Sequence, residues 1–584
     1  MDVSSQVPVR SHYVAGGGPA GLTAALTLAE AGERVDVAEA TGEVGGIART
    51  EKYKGYRFDI GGHRFFTKVT EVDELWKRLM GDDFIKVPRL SRIYYDGKYY
   101  DYPLKIPNTL KNLGAVESVR IGLSYLGSRL RPIRREDTFD QWVSNRFGKR
   151  LFERFFKTYT EKVWGIPCTS IQADWAAQRI QNLSLVKAVK TALFGGNDTT
   201  SLIEEFQYPR LGPGMMWERV RDNLREMGNT VRLQTRVDRV HHDGAGTVTA
   251  VTETDTTDAP TGGPQGDPTA SGGTVSRRVE VASLINTMPL GRLVRALDPP
   301  APDHVLAAAE KLKYRDFLIV VLIVDEPDPF PDNWIYIHSP EVQVGRIQNF
   351  RSWSREMVPD ENRSSIGLEF FCHAGDGLWT SDDADLIEQG KRELAALGLV
   401  NPANVVDGTV IRQPKAYPVY DENYKEAVDT IRAHVEGFDN LYCVGRNGMH
   451  RYNNQDHSML TAMLAARNLM GESHDVWDVN VERSYHEEFV AKPIAGEAGA
   501  GESAAAPSGE ARDDLPGTED APLTPIARAA GPVGVLDAIA ATPAPGDSPA
   551  AAGTVANDED GSSDGSGAPG RVAKDGARTV HEPA

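Results

Sequence analysis

The stretch YVAGGGPAGLTAALTLAEAGERVDVAE, Tyr13 to Glu39, decides the fold that we predict. Its pattern is typical of a strand, a tight glycine turn, a helix and a second strand. Gly16, Gly18 and Gly21 have G-x-G-x-x-G spacing, which allows a sharp turn, close backbone approach to a pyrophosphate, and close helix packing. The helix that begins at Pro19 directs its N–H groups and positive dipole end toward that pyrophosphate. The stretch therefore predicts a dinucleotide site.

The end of the second strand indicates which dinucleotide binds. Glu39 stands there, and a carboxylate at this position can accept hydrogen bonds from an adenosine ribose. The glycine pair Gly45-Gly46 follows closely and lets the backbone pass beneath the middle of a long dinucleotide. Because NAD-binding Rossmann units do not require this pair, we interpret the pattern as an FAD site. The predicted cofactor contacts in this region are Gly16, Gly18, Pro19, Ala20, Gly21, Glu39, Gly45 and Gly46.

Composition bounds the class of protein. The 584 residues are 40% hydrophobic and 25% charged, which is ordinary for a globular protein with more than one core. The formal net charge of −19 argues against nucleic acid as a partner. Much of that charge lies at the end of the chain, because the segment from Gly496 onward carries 15 acidic and five basic residues.

The cysteines and the N-terminal sequence indicate the cellular compartment. Cys168, Cys372 and Cys443 are far apart and have no C-x-x-C spacing, so we expect neither a disulfide framework nor a metal site. The start, MDVSSQVPVRSHYV, has no apolar run of signal-peptide type. No stretch reaches the roughly 18 apolar residues of a membrane helix. We therefore expect a cytoplasmic protein without stable membrane insertion.

The order of patterns predicts an α/β protein. We expect a Rossmann-type FAD-binding domain, similar to that of glutathione reductase, with an inserted helical subdomain and a mostly antiparallel sheet domain. Helical spacing is found over 71–87 and dominates from about 108 to 203. Strands are indicated over 231–240 and at FLIVVLIV (317–324), which we expect to be buried, and IYYDGKYYDYPL (93–104) indicates a hairpin around Asp96-Gly97. The predicted segments are 1–107, 206–298 (with a flexible loop at 252–276) and 435–490 for FAD binding, 108–205 for the helical substrate subdomain, 299–434 for the antiparallel sheet substrate domain, and 491–584 for a disordered acidic tail.

A second informative block is YCVGRNGMHRYNNQDHSMLTAML, Tyr442 to Leu464. A strand ends at Gly445-Arg446, a polar loop follows, and a helix starts near Asp456 to Ser458. The positive N-terminal end of that helix would favour negative charge on a reduced flavin ring. Capping of the helix by Asp456 or Ser458 is compatible with this role. Further predicted cofactor contacts are Gly61, Gly62, Gly445, Arg446, Gln455, Asp456 and Ser458.

Taken together, these residues resemble the FAD-binding fold of amine oxidases, protoporphyrinogen oxidase and UDP-galactopyranose mutase. Within that group, several strings are most similar to the mutase. The resemblance covers the chain to about residue 470, and the strings around Trp175, Gln178 and Arg179 are among the more discriminating. The other strings are FDIGGHRFF (58–66), KVWGIP (162–167), WIY (334–336), GRIQNF (345–350), AYP (416–418) and RYNNQDHS (451–458).

The resemblance implies a flavin-dependent isomerase. In the mutase, N5 of reduced flavin acts as the nucleophile on the anomeric carbon of a UDP-sugar, and pyranose and furanose rings interconvert. A reductant such as NAD(P)H would serve the flavin, although GAGTVTA (244–250) lacks the features of a second dinucleotide site. By motif match, the implied catalytic residues are His63, Arg179 and Arg346, and the implied substrate-binding residues are Trp164, Tyr336, Tyr417, Tyr452 and Asn454.

The sequence also departs from the mutase pattern. Thr160 stands where an asparagine is expected, Lys68 stands where a second histidine is expected, and the RYNNQDHS loop is shorter. These changes fall near the sugar pocket, so they put the substrate in doubt. Two alternatives stay open. One is an FAD-dependent oxidoreductase of amine oxidase, protoporphyrinogen oxidase or desaturase type; the other is a non-catalytic flavin-binding protein whose acidic tail recruits partners.

Overall fold

The structure is a computed structural model that describes residues 11–102, 106–173, 205–257 and 276–479. The predicted α/β class is confirmed. The strands are β1 Ser11–Ala15, β2 Val35–Ala38, β3 Thr50–Tyr53, β4 Tyr56–Asp59, β5 Phe84–Pro88, β6 Ser91–Tyr95, β7 Lys98–Asp101, β8 Glu205–Pro209, β9 Thr230–Arg232, β10 Thr235–His242, β11 Val248–Asp255, β12 Ser276–Asn286, β13 Leu297–Asp298, β14 Tyr314–Val324, β15 Trp334–Ile337, β16 Arg346–Asn349, β17 Ser364–Cys372, β18 Val405–Pro418 and β19 Leu441–Cys443.

The helices lie between these strands, and those from Ile106 to Trp164 follow one another without an intervening strand. A π-helical turn, Phe152–Lys157, interrupts the helical region. The α-helices are Pro19–Glu30, Thr70–Met80, Ile106–Leu113, Ala115–Leu130, Phe139–Phe147, Lys149–Leu151, Thr158–Trp164, Gly214–Glu226, Leu290–Ala296, Asp303–Lys311, Phe350–Trp353, Gly377–Thr380, Asp383–Ala396, Tyr424–Val435, Gly445–Gly448 and Gln455–Leu469. Short 3-10 turns are Gly46–Ala48, Gly81–Asp83, Cys168–Ser170, Arg355–Met357, Pro402–Asn404 and Val476–Asp478.

A parallel sheet carries the Rossmann-type part of the fold. Its parallel strands lie in the order β9-β2-β1-β12-β19, so strands from three distant stretches of the chain become neighbours. The long strand β12 continues past this layer and pairs antiparallel with β11, which pairs with β10. The helices Pro19–Glu30 and Gln455–Leu469 pack together in the same hydrophobic core. This packing places the beginning and the late part of the described chain side by side.

A second, mostly antiparallel sheet has the order β18-β14-β17-β16-β15-β6-β7. Its one parallel contact among the described strands is β15 with β6. One face packs on the helix Asp383–Ala396, and the other faces an aromatic core shared with the helical region. The hairpin β6–β7 around Asp96-Gly97 forms as predicted. It joins this sheet, however, so the segment 1–107 that we assigned to FAD binding is divided between two sheets.

Three local predictions need correction. The helix expected over 71–87 ends at Met80, because Gly81 has φ +51° and β5 follows. The strand expected over 231–240 breaks at Gln234, which has φ +51° and separates β9 from β10. The loop expected over 252–276 is shorter, because Thr252 to Thr254 pair with Ser276 to Arg278. The rest of that loop, residues 174–204 and the predicted tail 491–584 lie outside the described residues.

Two further properties concern the described part of the chain. None of its helices is both long enough and apolar enough to cross a membrane. Its acidic, histidine and cysteine side chains form no group of three suited to a metal ion. Cys168, Cys372 and Cys443 are buried as free thiols, so their role in the fold is packing.

Candidate active site between the two sheets

The glycine turn after β1 has the backbone that the motif predicts. Gly16 has φ +111°, and a Cβ there would collide with Oγ1 of Thr287. A Cβ on Gly21 would collide with the carbonyl oxygen of Gly16, so this glycine allows close packing of the helix. Gly18 differs, because a Cβ there would meet nothing closer than 3.8 Å, the distance to Cα of Gly46. The protein itself therefore leaves space at the middle glycine.

Glu39 lies at the end of β2, beside this turn. Its Oε2 accepts a hydrogen bond from the Gly17 N–H at 2.7 Å, and its Oε1 accepts from the Thr41 N–H and hydroxyl at 2.9 and 2.7 Å. The N–H of Gly45 donates to the Gly17 carbonyl at 2.8 Å, which holds the second glycine pair against the first turn. The buried carboxylate is thus oriented, and Oε2, which accepts only the Gly17 bond, keeps a second lone pair for a ribose hydroxyl.

The second glycine block meets the first one. Gly445 has φ +81°, and a Cβ there would lie 2.8 Å from Cβ of Ala20. The helix begins at Gln455, slightly before the predicted start, and its N-cap is Asn454, whose side chain makes no capping bond. Ser458 is buried in the first turn, and its N–H donates to the Asn454 carbonyl at 2.9 Å. Neither Asp456 nor Ser458 is therefore the N-cap, so the capping role considered from the sequence does not apply.

Two buried acceptors mark the start of this helix. Within the described residues, Oε1 of Gln455 and Oδ2 of Asp456 have no hydrogen-bond partner. Burial raises the pKa of Asp456. A buried acceptor without a donor costs about 1–3 kcal/mol, so such groups are expected where a ligand supplies the donor. A flavin ring carries such an N–H group, and the glycine turn, Glu39 and these acceptors together fit FAD.

Arg346 lies in a row of cross-strand neighbours in the antiparallel sheet. Tyr336 on β15 is opposite Arg346 on β16, and Arg346 is opposite Glu369 on β17. Nε and Nη2 of Arg346 donate to the fully buried Glu369 carboxylate at 2.6 to 2.9 Å. Nε2 of Gln348 donates to the same carboxylate. Burial opposes the charge, yet Glu369 raises the pKa of Arg346, which keeps a fixed cation at this wall.

His63 lies next to that cation. It follows the turn at Gly61, which has φ +82°, and a Cβ on Gly61 would lie 3.4 Å from Nη2 of Arg346. Nδ1 of His63 lies 2.8 Å from the Gly61 carbonyl, so Nδ1 carries the proton and Nε2 is an acceptor. Burial, together with the charges of Arg446 and Arg346, lowers the pKa of His63 to about 3. The imidazole is neutral at pH 7.

Stacked tyrosines complete this wall. The rings of Tyr417 and Tyr452 are 5.5 Å apart and nearly parallel, at 7°. The Arg446 guanidinium lies 4.5 Å from the Tyr452 ring centroid, and its Nε donates to the Asn453 carbonyl at 2.9 Å. Tyr336 makes an edge contact with Tyr159 at 5.7 Å. The structure thus brings His63, Arg346, Arg446, Tyr336, Tyr417 and Tyr452 into one cluster.

The other predicted site residues lie at the edge of this cluster or outside the described part of the chain. Trp164 is buried with its ring 6.4 Å from that of Tyr420, and Gly62 packs near Trp353. Arg179, with Trp175 and Gln178, lies outside the described residues. The predicted pair of arginines therefore has one described member, and Arg446 is the second cation that the structure places in the cluster.

Sequence reasoning missed three buried polar residues here: Asp59, Gln348 and Glu369. Oδ2 of Asp59 accepts a hydrogen bond from the Tyr208 hydroxyl at 2.6 Å, and burial raises the pKa of Asp59 to about 8. The carboxylic acid is therefore mostly protonated at pH 7. A usable signal was present, because Asp59 and Glu369 each stand between two apolar residues, and acids are almost never buried without a partner.

Comparisons with known proteins agree with this geometry. Residues 19–470 match the family described as flavin containing amine oxidoreductase. The chain belongs to this family. FAD is its cofactor, and when bound it supplies the redox and nucleophilic chemistry that side chains lack. The family match begins just after Gly18 and covers Gly21, Gly45-Gly46, Gly445 and the whole antiparallel sheet.

Individual relatives are distant. The structure is similar to reduced UDP-galactopyranose mutase, with a TM-score of 0.67 and 21% identity over 80% of this chain and 95% of that one. It is also similar to putrescine oxidase bound to putrescine, with a TM-score of 0.51 and 16% identity over 79% and 99%. Protoporphyrinogen oxidase 1, chloroplastic, of Arabidopsis thaliana is 26% identical over 163 residues, 26% of this chain and 30% of that relative. These likenesses establish the fold.

Proposed function

We propose that this protein is a UDP-galactopyranose mutase-like isomerase that acts on a nucleoside-diphosphate sugar. The observation that carries the proposal is the pair of arginines around a neutral histidine. Burial lowers the pKa of His63, and Arg446 and Arg346 lower it as well, so this imidazole lies in the positive field of two guanidinium groups. Such a field favours an anionic substrate and opposes a protonated amine of the putrescine kind. A diphosphate is an anion that guanidinium groups bind well.

The cluster suits the parts of such a substrate. Arg346 is held by Glu369 through Nε and Nη2, so Nη1 is the nitrogen left outside this pair for a phosphate oxygen. The hydroxyls of Tyr336 and Tyr417 are further donors on the same wall. Bound FAD in its reduced form would supply the nucleophilic nitrogen for the anomeric carbon. With Nδ1 bonded to Gly61, His63 offers Nε2 as an acceptor for a sugar hydroxyl.

The alternative is an FAD-dependent oxidoreductase with an anionic, partly aromatic substrate. The wall formed by Tyr336, Tyr417 and Tyr452 favours it, because a large flat substrate stacks on such rings. The two reactions differ in their balance of electrons. An oxidoreductase substrate reduces FAD once per turnover, whereas the isomerase leaves the flavin in the state in which it began. A reductant such as NAD(P)H is then needed only to prepare the enzyme.

The experiment compares reduced and oxidised protein. We expect UDP-galactopyranose and UDP-galactofuranose to interconvert after anaerobic reduction with dithionite, and not before. Arg346→Lys keeps a cation for Glu369 but loses the planar fork, so we expect UDP to bind about tenfold more weakly. Arg412→Lys, on the opposite face of the same sheet, is the matched control and should leave UDP affinity unchanged. Substrate-dependent bleaching of oxidised FAD, with peroxide formed in air, would instead establish the oxidoreductase.

A further inference from the structure

The helix Ala115–Leu130 presents an apolar stripe to solvent. Five side chains of this stripe are between 55% and 82% exposed, although each is apolar. They recur at alternating spacings of three and four residues, which places them along one side of the helix. They are Val116, Val119, Leu123, Leu126 and Leu130. Leu110 and Ile133, which are 48% and 44% exposed, extend the apolar surface beyond both ends of the helix.

The opposite side of this helix is fixed to the protein. Ile121 is buried, and Gly148 packs so closely beneath Tyr125 that a Cβ on it would lie 2.8 Å from the Tyr125 nitrogen. The N–H of Arg150 donates to the Ser124 hydroxyl at 3.1 Å. These contacts determine how the helix is rotated. The apolar stripe is therefore held outward by the fold, and it is large for a surface that contacts only water.

Arginines accompany the stripe. Arg129, Arg131, Arg134 and Arg135 lie at the end of the helix or just beyond it, and all four are exposed. Within the described residues, none of the four makes an ion pair with a carboxylate. The one acid of the helix, Glu117, is bound by Arg150 at 2.6 Å. This face is therefore positive and apolar, on a chain whose formal net charge is −19.

A second copy of the chain fits this face poorly. A parallel helix pair would bring two sets of arginines together, and an antiparallel pair would face them with Glu117, which Arg150 already binds. The helix is about 24 Å long, so pairing it alone covers a few hundred Å² per copy, against roughly 800 Å² per partner in a stable interface. An anionic lipid surface supplies both missing complements, negative charge and an apolar layer.

We propose that the helix Ala115–Leu130 and the arginines after it form a docking surface for an anionic lipid bilayer. The leucine and valine side chains enter the boundary between headgroups and acyl chains, and the arginines contact lipid phosphates. The helix lies in the plane of the bilayer, because its 16 residues are fewer than the roughly 20 that cross one. The helical region that packs beside Tyr336 and Tyr159 would then face the bilayer.

The test uses the purified full-length protein with bound FAD and two kinds of vesicle. One is phosphatidylcholine alone, and the other contains roughly one third phosphatidylglycerol, which supplies the negative surface potential. We expect co-sedimentation with the anionic vesicles, weak binding to the neutral ones, and release at high salt. The double variant Leu123→Ser, Leu126→Ser should lose binding. Its matched control, Met227→Ser with Val406→Ser, changes two side chains that are each 49% exposed elsewhere and should bind normally.

The arginines are tested separately. Each basic residue near an anionic surface contributes about fivefold to partitioning, so Arg131→Gln with Arg134→Gln and Arg135→Gln should weaken it about 100-fold. Arg34→Gln with Arg355→Gln and Arg392→Gln makes the same change of charge at other exposed sites and should have little effect. The proposal is overturned if neither vesicle binds the protein or if the serine variant binds like its control. It is also overturned if those leucines instead control a lipid-free dimer in analytical ultracentrifugation.

Discussion

Replacing Glu369 with glutamine tests the buried ion pair on which the active-site cation depends. The Glu369 carboxylate is fully buried and receives Nε and Nη2 of Arg346, and Nε2 of Gln348 donates to it as well. Arg346 is 15% exposed at its side chain, so water replaces little of what the substitution removes. Glu369→Gln keeps the shape and one acceptor oxygen. It leaves the guanidinium of Arg346 without a counter-ion and places an amide NH₂ group against the N–H donors of Arg346 and Gln348.

The expected loss of stability follows from these contacts. Breaking a buried pair by removing one partner typically costs 3–5 kcal/mol, because an uncompensated charge stays buried. One acceptor oxygen is retained here, so we expect the free energy of unfolding to fall by about 3 kcal/mol. Replacing both partners, with Glu369→Leu and Arg346→Met, should recover much of this loss because no charge is then left buried.

Urea-induced unfolding at fixed protein and FAD concentrations measures these changes, since bound cofactor contributes to apparent stability. Glu388→Gln is the matched control. Glu388 pairs with Lys391 at 2.6 Å but is 58% exposed, so its loss should cost less than about 0.5 kcal/mol. The reasoning is refuted if Glu369→Gln destabilises no more than Glu388→Gln. It is refuted equally if the double variant is less stable than Glu369→Gln alone.

Three further predictions concern the cofactor and pH. Gly18→Ala should abolish FAD retention on dialysis while leaving the melting temperature of the apoprotein unchanged, whereas Gly21→Ala should lower that temperature, because only the latter Cβ collides with the protein. Burial raises the pKa of Asp59 to about 8 from about 3.9 unfolded, so the folded state holds an extra proton between these values. Between these two pKa values, the free energy of unfolding of the protein should fall by about 1.4 kcal/mol for each unit by which the pH rises. Urea titrations at several pH values measure this slope, and Asp59→Asn should remove it. Burial lowers the pKa of His338 to about 3 and that of His450 to about 4, so each should destabilise the protein as pH falls from 6.5 toward 4, and an asparagine variant should lose less stability in acid.

The cofactor half of the site could be predicted because its determinants are local. The turn at Gly16, the packing at Gly21 and the carboxylate of Glu39 all lie within one strand-helix-strand unit. Each requirement, a positive φ, a close approach or a charge at a strand end, is expressed by one residue type at a fixed spacing. The start of the helix Gln455–Leu469 was less predictable, because Asn454 caps it without a side-chain hydrogen bond.

The substrate half could be predicted only in part, because it depends on register. Tyr336, Arg346 and Glu369 are neighbours only because β15, β16 and β17 pair as they do. A shift of one residue would turn Arg346 to the other face, and no local pattern states which register forms. The family resemblance named Tyr336 and Arg346 from their motifs. Glu369 belongs to no such motif, so the resemblance gave no reason to select it.

The distribution of charged groups over the two sheets predicts that the antiparallel sheet selects the substrate. The parallel sheet supplies backbone N–H groups and Glu39, which suit the dinucleotide and carry no information about the substrate. The antiparallel sheet holds Arg346 on Glu369, and burial, with Arg446 and this arginine, keeps His63 neutral. The two guanidinium groups then bind the anion as cations, and the neutral imidazole keeps a ring nitrogen that accepts a hydrogen bond. Substitutions on β15 to β17 should therefore change which substrate binds while FAD stays bound. Substitutions at Gly18 should instead release FAD without changing the residues that select the substrate.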